Sequence, residues 1–275
     1  MSRRIAIVGG ETHIGEITRL AGAGLDITGV LVRPEQRQAA AQAFGAPLAD
    51  TEEQLYAEAA PQIVAVANEN DARAAAVLAA LGRGCDVVVD KPLAIAVEDQ
   101  ERIEAALQAQ PDRRLLMLLT LRGMPVWAGL RQAVREGRIG AVAFCHVRMA
   151  VQLKRAQRPP WFLDARRSGG LFLDLLVHGL DQVEWVTGAR IRAVTATTGN
   201  LTDPEDPQLR DHAAVFCELD SGGCAVVEGQ RMLPGTQGSD YRMLVAGTLG
   251  YADLDMAAGT VTVTDPRAAG QVVAP

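Results

Sequence analysis

At 275 residues the chain is long enough for one or two domains with substantial cores. Its apolar fraction of 48% is ordinary for a globular protein, and its net charge of -6 argues against a nucleic-acid groove, which needs clustered Lys and Arg. No apolar run approaches transmembrane length, so no membrane partner is expected.

Cysteines 85, 145, 217 and 224 are scattered, without a C-x-x-C pair or a His at ligand spacing. This favours a reduced, cytoplasmic protein with no metal site. Arg3 and Arg4 lead straight into a short apolar strand and glycines, which is not the form of a signal peptide.

The first ~120 residues alternate strand and helix, the pattern of a parallel sheet with crossover helices. Residues 4–8 form a buried strand ending at Gly9-Gly10, and 14–23 read as a helix stopping at Gly24. A second strand spans 26–32. A helix over 34–44 follows, with Pro34 in its first turn and Gly45 just past its end. Thr51-Glu-Glu-Gln54 starts a short helix as a capping box. Residues 63–67 and 85–90 are strands, separated by an Ala-rich helix opening at Asp71. After Lys91-Pro92 comes a helix over 97–109, and 115–121 closes this half as a further strand.

The second half changes character. An amphipathic helix over 125–136 is closed by Gly137, and 141–149 form a strand. Basic residues gather at Lys154, Arg155, Arg158, Arg166 and Arg167 in a Pro-rich loop, most simply a solvated one. A mostly apolar helix then opens behind Gly169-Gly170 and runs to Gly188. Strands over 213–219 and 224–230 flank Asp220-Ser-Gly-Gly223, and 241–246 and 250–254 flank a Gly-bearing turn. The expected fold is an α/β Rossmann dinucleotide-binding domain over 1–121, followed by an α+β domain over 122–275 with an open-faced, mainly antiparallel sheet.

Four places can carry chemistry. Gly9-Gly10-Glu11-Thr12-His13-Ile14-Gly15 stands between the first strand and first helix, where a pyrophosphate would meet a helix N-terminus. The G-x-G-x-x-G fingerprint is imperfect there, because Thr12 occupies the third position. At the end of the second strand Arg33 stands where an Asp or Glu for the ribose hydroxyls is usual. A basic group suits a 2′-phosphate, so the cofactor reading is NAD(P) with a lean to NADP. Lys91 follows a buried strand at the carboxyl edge of the sheet, where ligands bind. Finally, Asp174 and His178 interrupt an apolar helix four residues apart and project from one face, with Asp181 one turn further along. Ionisable groups on an apolar face are costly unless hydrogen-bonded or solvated in a cleft. Trp161 and Phe162 either line a substrate pocket or pack the loop between the domains.

These motifs resemble one family. Asp90-Lys91-Pro92 looks like the Glu-Lys-Pro motif of the glucose–fructose oxidoreductase and inositol dehydrogenase (Gfo/Idh/MocA) family, and Gly169-Gly170-x3-Asp174-x3-His178-x2-Asp181 is similar to its second signature. Arg122-x2-Pro125 and Glu136-Gly137-x2-Gly140 lie between them in the expected order. The resemblance covers the chain to about residue 255. It implies a two-domain dehydrogenase with nicotinamide held in the crevice between domains. His178 would be the general base on a sugar or polyol hydroxyl. Asp174 would bond the substrate or hold the imidazole, and Lys91 would position the hydroxyl. Arg122 and Trp161 would join these in substrate binding. Gly9, Gly10, Thr12, His13, Ile14, Gly15, Arg33, Asn68, Asn70, Lys91 and Pro92 would hold the cofactor. The resemblance also implies a homodimer or homotetramer paired through the open face of the second sheet.

There are departures. The family's Thr-Pro-Asn-x2-His segment reads Ala67-Asn68-Glu69-Asn70-Asp71-Ala72-Arg73, in which only Asn70 keeps its place and Arg73 replaces the His. The first Gly loop is one residue longer and the ribose acid is absent. The chain ends near 275, so the family's final strands are expected to be missing. Most departures touch cofactor binding and none touches Lys91, Asp174 or His178. The expected activity is hydride transfer between a nicotinamide cofactor and a hydroxyl or carbonyl carbon of a small molecule. The alternative is a non-catalytic member that binds a small ligand or partner with a weakened cofactor site.

Overall fold

A computed structural model describes residues 2–11, 24–235 and 238–266, together with the backbone of 268–273. Two compact units emerge, Met1–Leu118 with Arg166–Gly169, and Leu119–Ala165 with Gly170–Pro275.

The first unit is built on five parallel strands, β1 (Arg3–Val8), β2 (Leu25–Leu31), β3 (Ile63–Val66), β4 (Asp86–Asp90) and β5 (Leu115–Leu118), in the order β2-β1-β3-β4-β5. Every residue of β3 is buried, as a central strand covered on both faces requires. A parallel bridge from Val30 to Leu48 adds one further pairing at the β2 edge. With it the order matches a doubly wound dinucleotide fold, and the chain reverses direction across the sheet between β1 and β3. The strand expected over 115–121 ends at Leu118. Thr120–Gly123 turns as a 3-10 helix in the second unit. The helix expected over 34–44 begins with a 3-10 turn, Pro34–Gln36, before α1 (Arg37–Phe44), which Gly45 closes at φ +60°. Thr51 caps α2 (Glu52–Ala59) by accepting from the Gln54 amide. Helices α3 (Asn70–Gly82) and α4 (Val97–Gln108) complete the unit. The helix expected over 14–23 lies outside the described residues.

The second unit is an eight-stranded sheet in the order β13-β12-β11-β10-β6-β9-β8-β7. Its strands are β6 (Val142–Ala150), β7 (Ile191–Gly199), β8 (His212–Leu219), β9 (Cys224–Gln230), β10 (Asp240–Gly247), β11 (Gly250–Asp255), β12 (Thr260–Asp265) and β13 (Ala268–Val273). All pairings are antiparallel except β6 with β9. Beyond the strands expected up to residue 254, β12 and β13 close one edge of the sheet. β12 alternates Thr and Val, and its valines are buried.

One face of this sheet is covered by α5 (Pro125–Arg135) and α8 (Val177–Thr187), whose Trp127, Leu130, Val183 and Val186 pack onto Cys145, Val147, Val227 and Val245. The loop after β6 is folded into short turns, including α6 (Pro160–Leu163) and α7 (Ala165–Ser168). Helix α8 is entered through a π-helical turn, Phe172–Leu176, and closed by Gly188 at φ +76°.

Candidate active site

In the first unit the candidate groups gather at the carboxyl ends of the parallel strands. Gly9 follows β1 with φ +86°, and a Cβ there would stand 2.4 Å from the backbone of Asn68. The Glu11 amide donates to the Ala67 carbonyl at 3.0 Å, so the turns after β1 and β3 are fastened together. Only glycine fits such an approach. At Gly10 a Cβ would meet only Val32 and Gln36 side chains at ordinary contact distance. Thr12, His13, Ile14 and Gly15 lie outside the described residues.

Arg33 is surrounded by acid. Its guanidinium is 2.7 Å from Glu11, 3.2 Å from Glu35 and 3.3 Å from Glu69, and the Gln36 amide donates to Glu11 at 2.8 Å. Three carboxylates against Arg33, with Arg167 3.8 Å from Glu69 as a second cation, leave the cluster net negative. Yet among the described residues the Arg33 Nε, Gln36 Oε1 and Asn68 Oδ1 atoms are buried without hydrogen-bond partners. Buried polar atoms normally have partners, so these three are suited to the hydroxyl and amide groups of a bound nucleotide.

Asn70 is buried and donates to the Ser168 carbonyl at 2.6 Å, a structural engagement. Arg73, fully buried, donates to the Asn68 carbonyl at 2.6 Å and the Pro92 carbonyl at 2.9 Å. It thereby ties the segment after β3 to the one after β4. Lys91 is 6% exposed despite its charge and follows the fully buried Asp90, whose carboxylate accepts from the Lys91 amide at 2.7 Å.

In the second unit Asp174 sits in the π-helical turn and His178, 7% exposed, in the first turn of α8. A π turn underwinds the helix, which brings positions four residues apart closer to one line along its axis than a regular α-helix does. Such turns recur at functional sites. Arg231, itself buried, forms a short ion pair with the Asp174 carboxylate. Because β6 and β9 run parallel with Ala150 opposite Gln230, the chain leaving β6 and the chain leaving β9 emerge side by side. That places Arg231 and the loop carrying Arg158 at the same end of the sheet. Both guanidiniums lie against the Phe162 ring, with Arg158 Cζ 4.2 Å and Arg231 Cζ 4.9 Å from its centroid. Trp161 meets Phe162 edge-to-face at 5.8 Å. Trp161 is 4% exposed and its indole Nε1 has no acceptor among the described residues. Burial pushes the nearby Tyr241 hydroxyl up to about 12, with the Asp174 charge adding to the shift, so it stays protonated.

Arg122 is engaged elsewhere. It forms a two-point pair with Asp181 and lies 5.9 Å from the Trp185 ring, beyond His178 along the helix. Its partner explains why Asp181 stands on this helix without adding to the Asp174–His178 group.

Residues 3–117 match a family model described as an oxidoreductase family with an NAD-binding Rossmann fold, and residues 127–253 match the Gfo/Idh/MocA C-terminal domain. The chain belongs to the Gfo/Idh/MocA oxidoreductase family. It is 28% identical over 221 residues to inositol 2-dehydrogenase of Rhizobium meliloti (strain 1021), covering 79% of this chain and 64% of that one. Myo-inositol 2-dehydrogenase of Thermotoga maritima is 30% identical, over 66% of this chain and 53% of its own. The chain thus spans less than two thirds of the length of either relative. Levoglucosan dehydrogenase in complex with NADH has the same fold, with a TM-score of 0.87 at 18% identity over all of this chain and 80% of that one.

Within this family member, sequence reasoning missed Glu11, Gln36 and Arg231, and it left Arg158 in a solvated loop. That last reading is corrected. Arg158 is half-buried, whereas its neighbour Arg155 reaches out to Asp203 at 3.3 Å and Asp206 at 2.8 Å. Nothing in the local sequence separates the two arginines except that Arg158 lies four residues before Phe162, and Arg231 belongs to no motif.

Proposed function

We propose that this protein is a nicotinamide-dependent oxidoreductase that interconverts a hydroxyl and a carbonyl carbon on a sugar, polyol or related small molecule. The observation that carries this reading is the Asp174–His178 pair. Both groups stand on one helical stretch entered through a π turn, and a buried arginine holds the Asp174 carboxylate. His178 takes the hydroxyl proton in the oxidation direction, because a neutral imidazole is the side chain suited to accept a proton near neutral pH. Asp174, fixed by Arg231, orients the substrate hydroxyls. Lys91 stabilises the negative charge that develops on the substrate oxygen.

Bound nicotinamide supplies the carbon that accepts the hydride. Gly9, Gly10, Asn68, Gln36 and the segment Lys91-Pro92 are the described residues that would hold the cofactor. The acidic ring around Arg33 favours NAD over NADP. A 2′-phosphate there would stand among Glu11, Glu35 and Glu69, and like charges at such range repel. This reverses the lean to NADP that Arg33 alone suggests.

The alternative, a binding module without catalysis, is not favoured, since the similar proteins are named as dehydrogenases. A cytoplasmic setting is supported by four free cysteines, three of them buried. Among the described residues no helix is long and apolar enough to cross a membrane. The proposed assembly is a homodimer or homotetramer.

Fluorescence titration tests the reading. NADH is expected to saturate the protein at roughly micromolar concentration, with NADPH at least about tenfold weaker. No binding of either up to about millimolar would overturn it. With a turned-over substrate, Lys91→Ala or His178→Ala is expected to lower kcat about 10²- to 10⁴-fold while the fold is kept.

A further inference from the structure

Arg158 is a cation without a full set of partners in a partly dehydrated place. Its Nε donates to the Leu153 carbonyl at 3.2 Å and its guanidinium packs on Phe162 at 4.2 Å. A guanidinium has five N–H donors in a planar fork, and the rest of this fork is unspent among the described residues. The charged groups acting on it are Asp174, which favours its charge, and Arg231, which opposes it. Asp174 is already paired with Arg231. Two guanidiniums therefore share one carboxylate, and one positive charge is left over beside a neutral Tyr241. Desolvation weighs against the charged form of Arg158, which is the cost an anionic ligand would offset. Trp161, which meets the same Phe162 ring edge-to-face, carries a buried Nε1 without an acceptor among the described residues.

We infer that Arg158, with Arg231 behind it, binds a carboxylate on the substrate, so that this oxidoreductase acts on a hydroxy acid of the sugar-acid class rather than on a neutral polyol. A planar carboxylate accepts two parallel hydrogen bonds from one guanidinium, and its single charge balances the surplus. A phosphate carries about -1.5 to -2 at neutral pH and would leave the site negative beside Asp174. The inference rests on the oxidoreductase reading, because it takes the Asp174–His178 helix as the substrate side of the reaction.

The test pairs acids with neutral sugars of the same skeleton: D-galacturonate with D-galactose, D-glucuronate with D-glucose, and D-gluconate with D-glucitol. Galactose 6-phosphate serves as the phosphate arm. Binding to the NADH-loaded protein and kcat/KM in the NAD-dependent direction are both measured. At least one acid is expected to exceed its neutral partner by tenfold or more, the strength of one charge-assisted hydrogen-bonded contact. In Arg158→Gln that ratio should collapse toward one, in Arg158→Lys it should recover in part, and in Arg155→Gln it should stay as in the wild type. A ratio does not depend on how much of a variant is folded. Neutral partners that bind as well as the acids, a phosphate ester preferred over the carboxylate, or NADH-loaded protein that binds none of the acids would each overturn the inference alone. If NADH itself fails to bind, the oxidoreductase reading falls and takes the inference with it.

Discussion

Arg73 stands where the family resemblance implies a histidine, and it is fully buried with its guanidinium donating to the Asn68 and Pro92 carbonyls. One side chain thus fastens the turns that follow β3 and β4, both of which border the proposed cofactor site. Arg73→Met should leave those carbonyls without donors, at about 1–3 kcal/mol for each unsatisfied group. The expected result is a urea midpoint lowered by the equivalent of about 2–5 kcal/mol together with weaker NADH binding. An unchanged midpoint would show that water reaches those carbonyls. The identity of such residues was legible in the sequence, but their engagement was not. Arg33 read as a free cation because Glu11 and Glu69 reach it from other turns, while only Glu35 lies in its own. Arg155 and Arg158 read alike because nothing local says which of them faces solvent.

At the scale of elements, the helix bearing His178 lies close against its sheet. A Cβ on Gly179 would stand 2.6 Å from Val227 Cγ1, and one on Gly229 would stand 2.9 Å from the Leu176 side chain. Glycine on the helix and glycine on β9 let the two elements approach on the turns that carry Asp174 and His178. Gly179→Ala should push the helix outward against a packed face, at about 1–3 kcal/mol. A thermal midpoint lowered by roughly 2–10 °C is expected, and a midpoint at the wild-type value would mean the interface has slack. Strands with apolar alternation or a continuous buried run, such as β3, β8 and β9, were legible because their burial follows their sequence period. β7 was not, since nearly every residue of Ile191–Gly199 is exposed and its Ala, Val and Thr leave no alternation to read. The π turn was equally hidden, because it depends on how the helix seats against the sheet.

At the scale of the molecule, the uncovered face of the eight-stranded sheet is a mixed surface. Phe216 and Tyr251 are exposed there, and Arg148 pairs with Glu228 at 2.6 Å and with Asp240 at 3.5 Å. Apolar groups interspersed with ion pairs suit a self-complementary contact, in which each patch meets its own copy. Sedimentation at about micromolar protein should give a dimer or tetramer. Phe216→Glu, which leaves the buried residues of β8 untouched, should shift it toward monomer. A wild-type monomer at that concentration would contradict the proposed assembly.

The sequence by itself determined the order of the elements, the family, and which ionisable groups stand at strand ends or on an apolar helix. Those properties depend on local periodicity, turn chemistry and motif spacing, all of which act within a few residues along the chain. Only the tertiary structure decided the partners: Glu11 beside Arg33, Arg231 beside Asp174, Asp181 beside Arg122, and Arg158 left with charge to spare. Charge compensation is a property of distance in space. The chain brings 33 and 69, 174 and 231, or 122 and 181 together only once its sheets have formed, so no count of local charges foretells which cation is already answered and which is still open to a ligand.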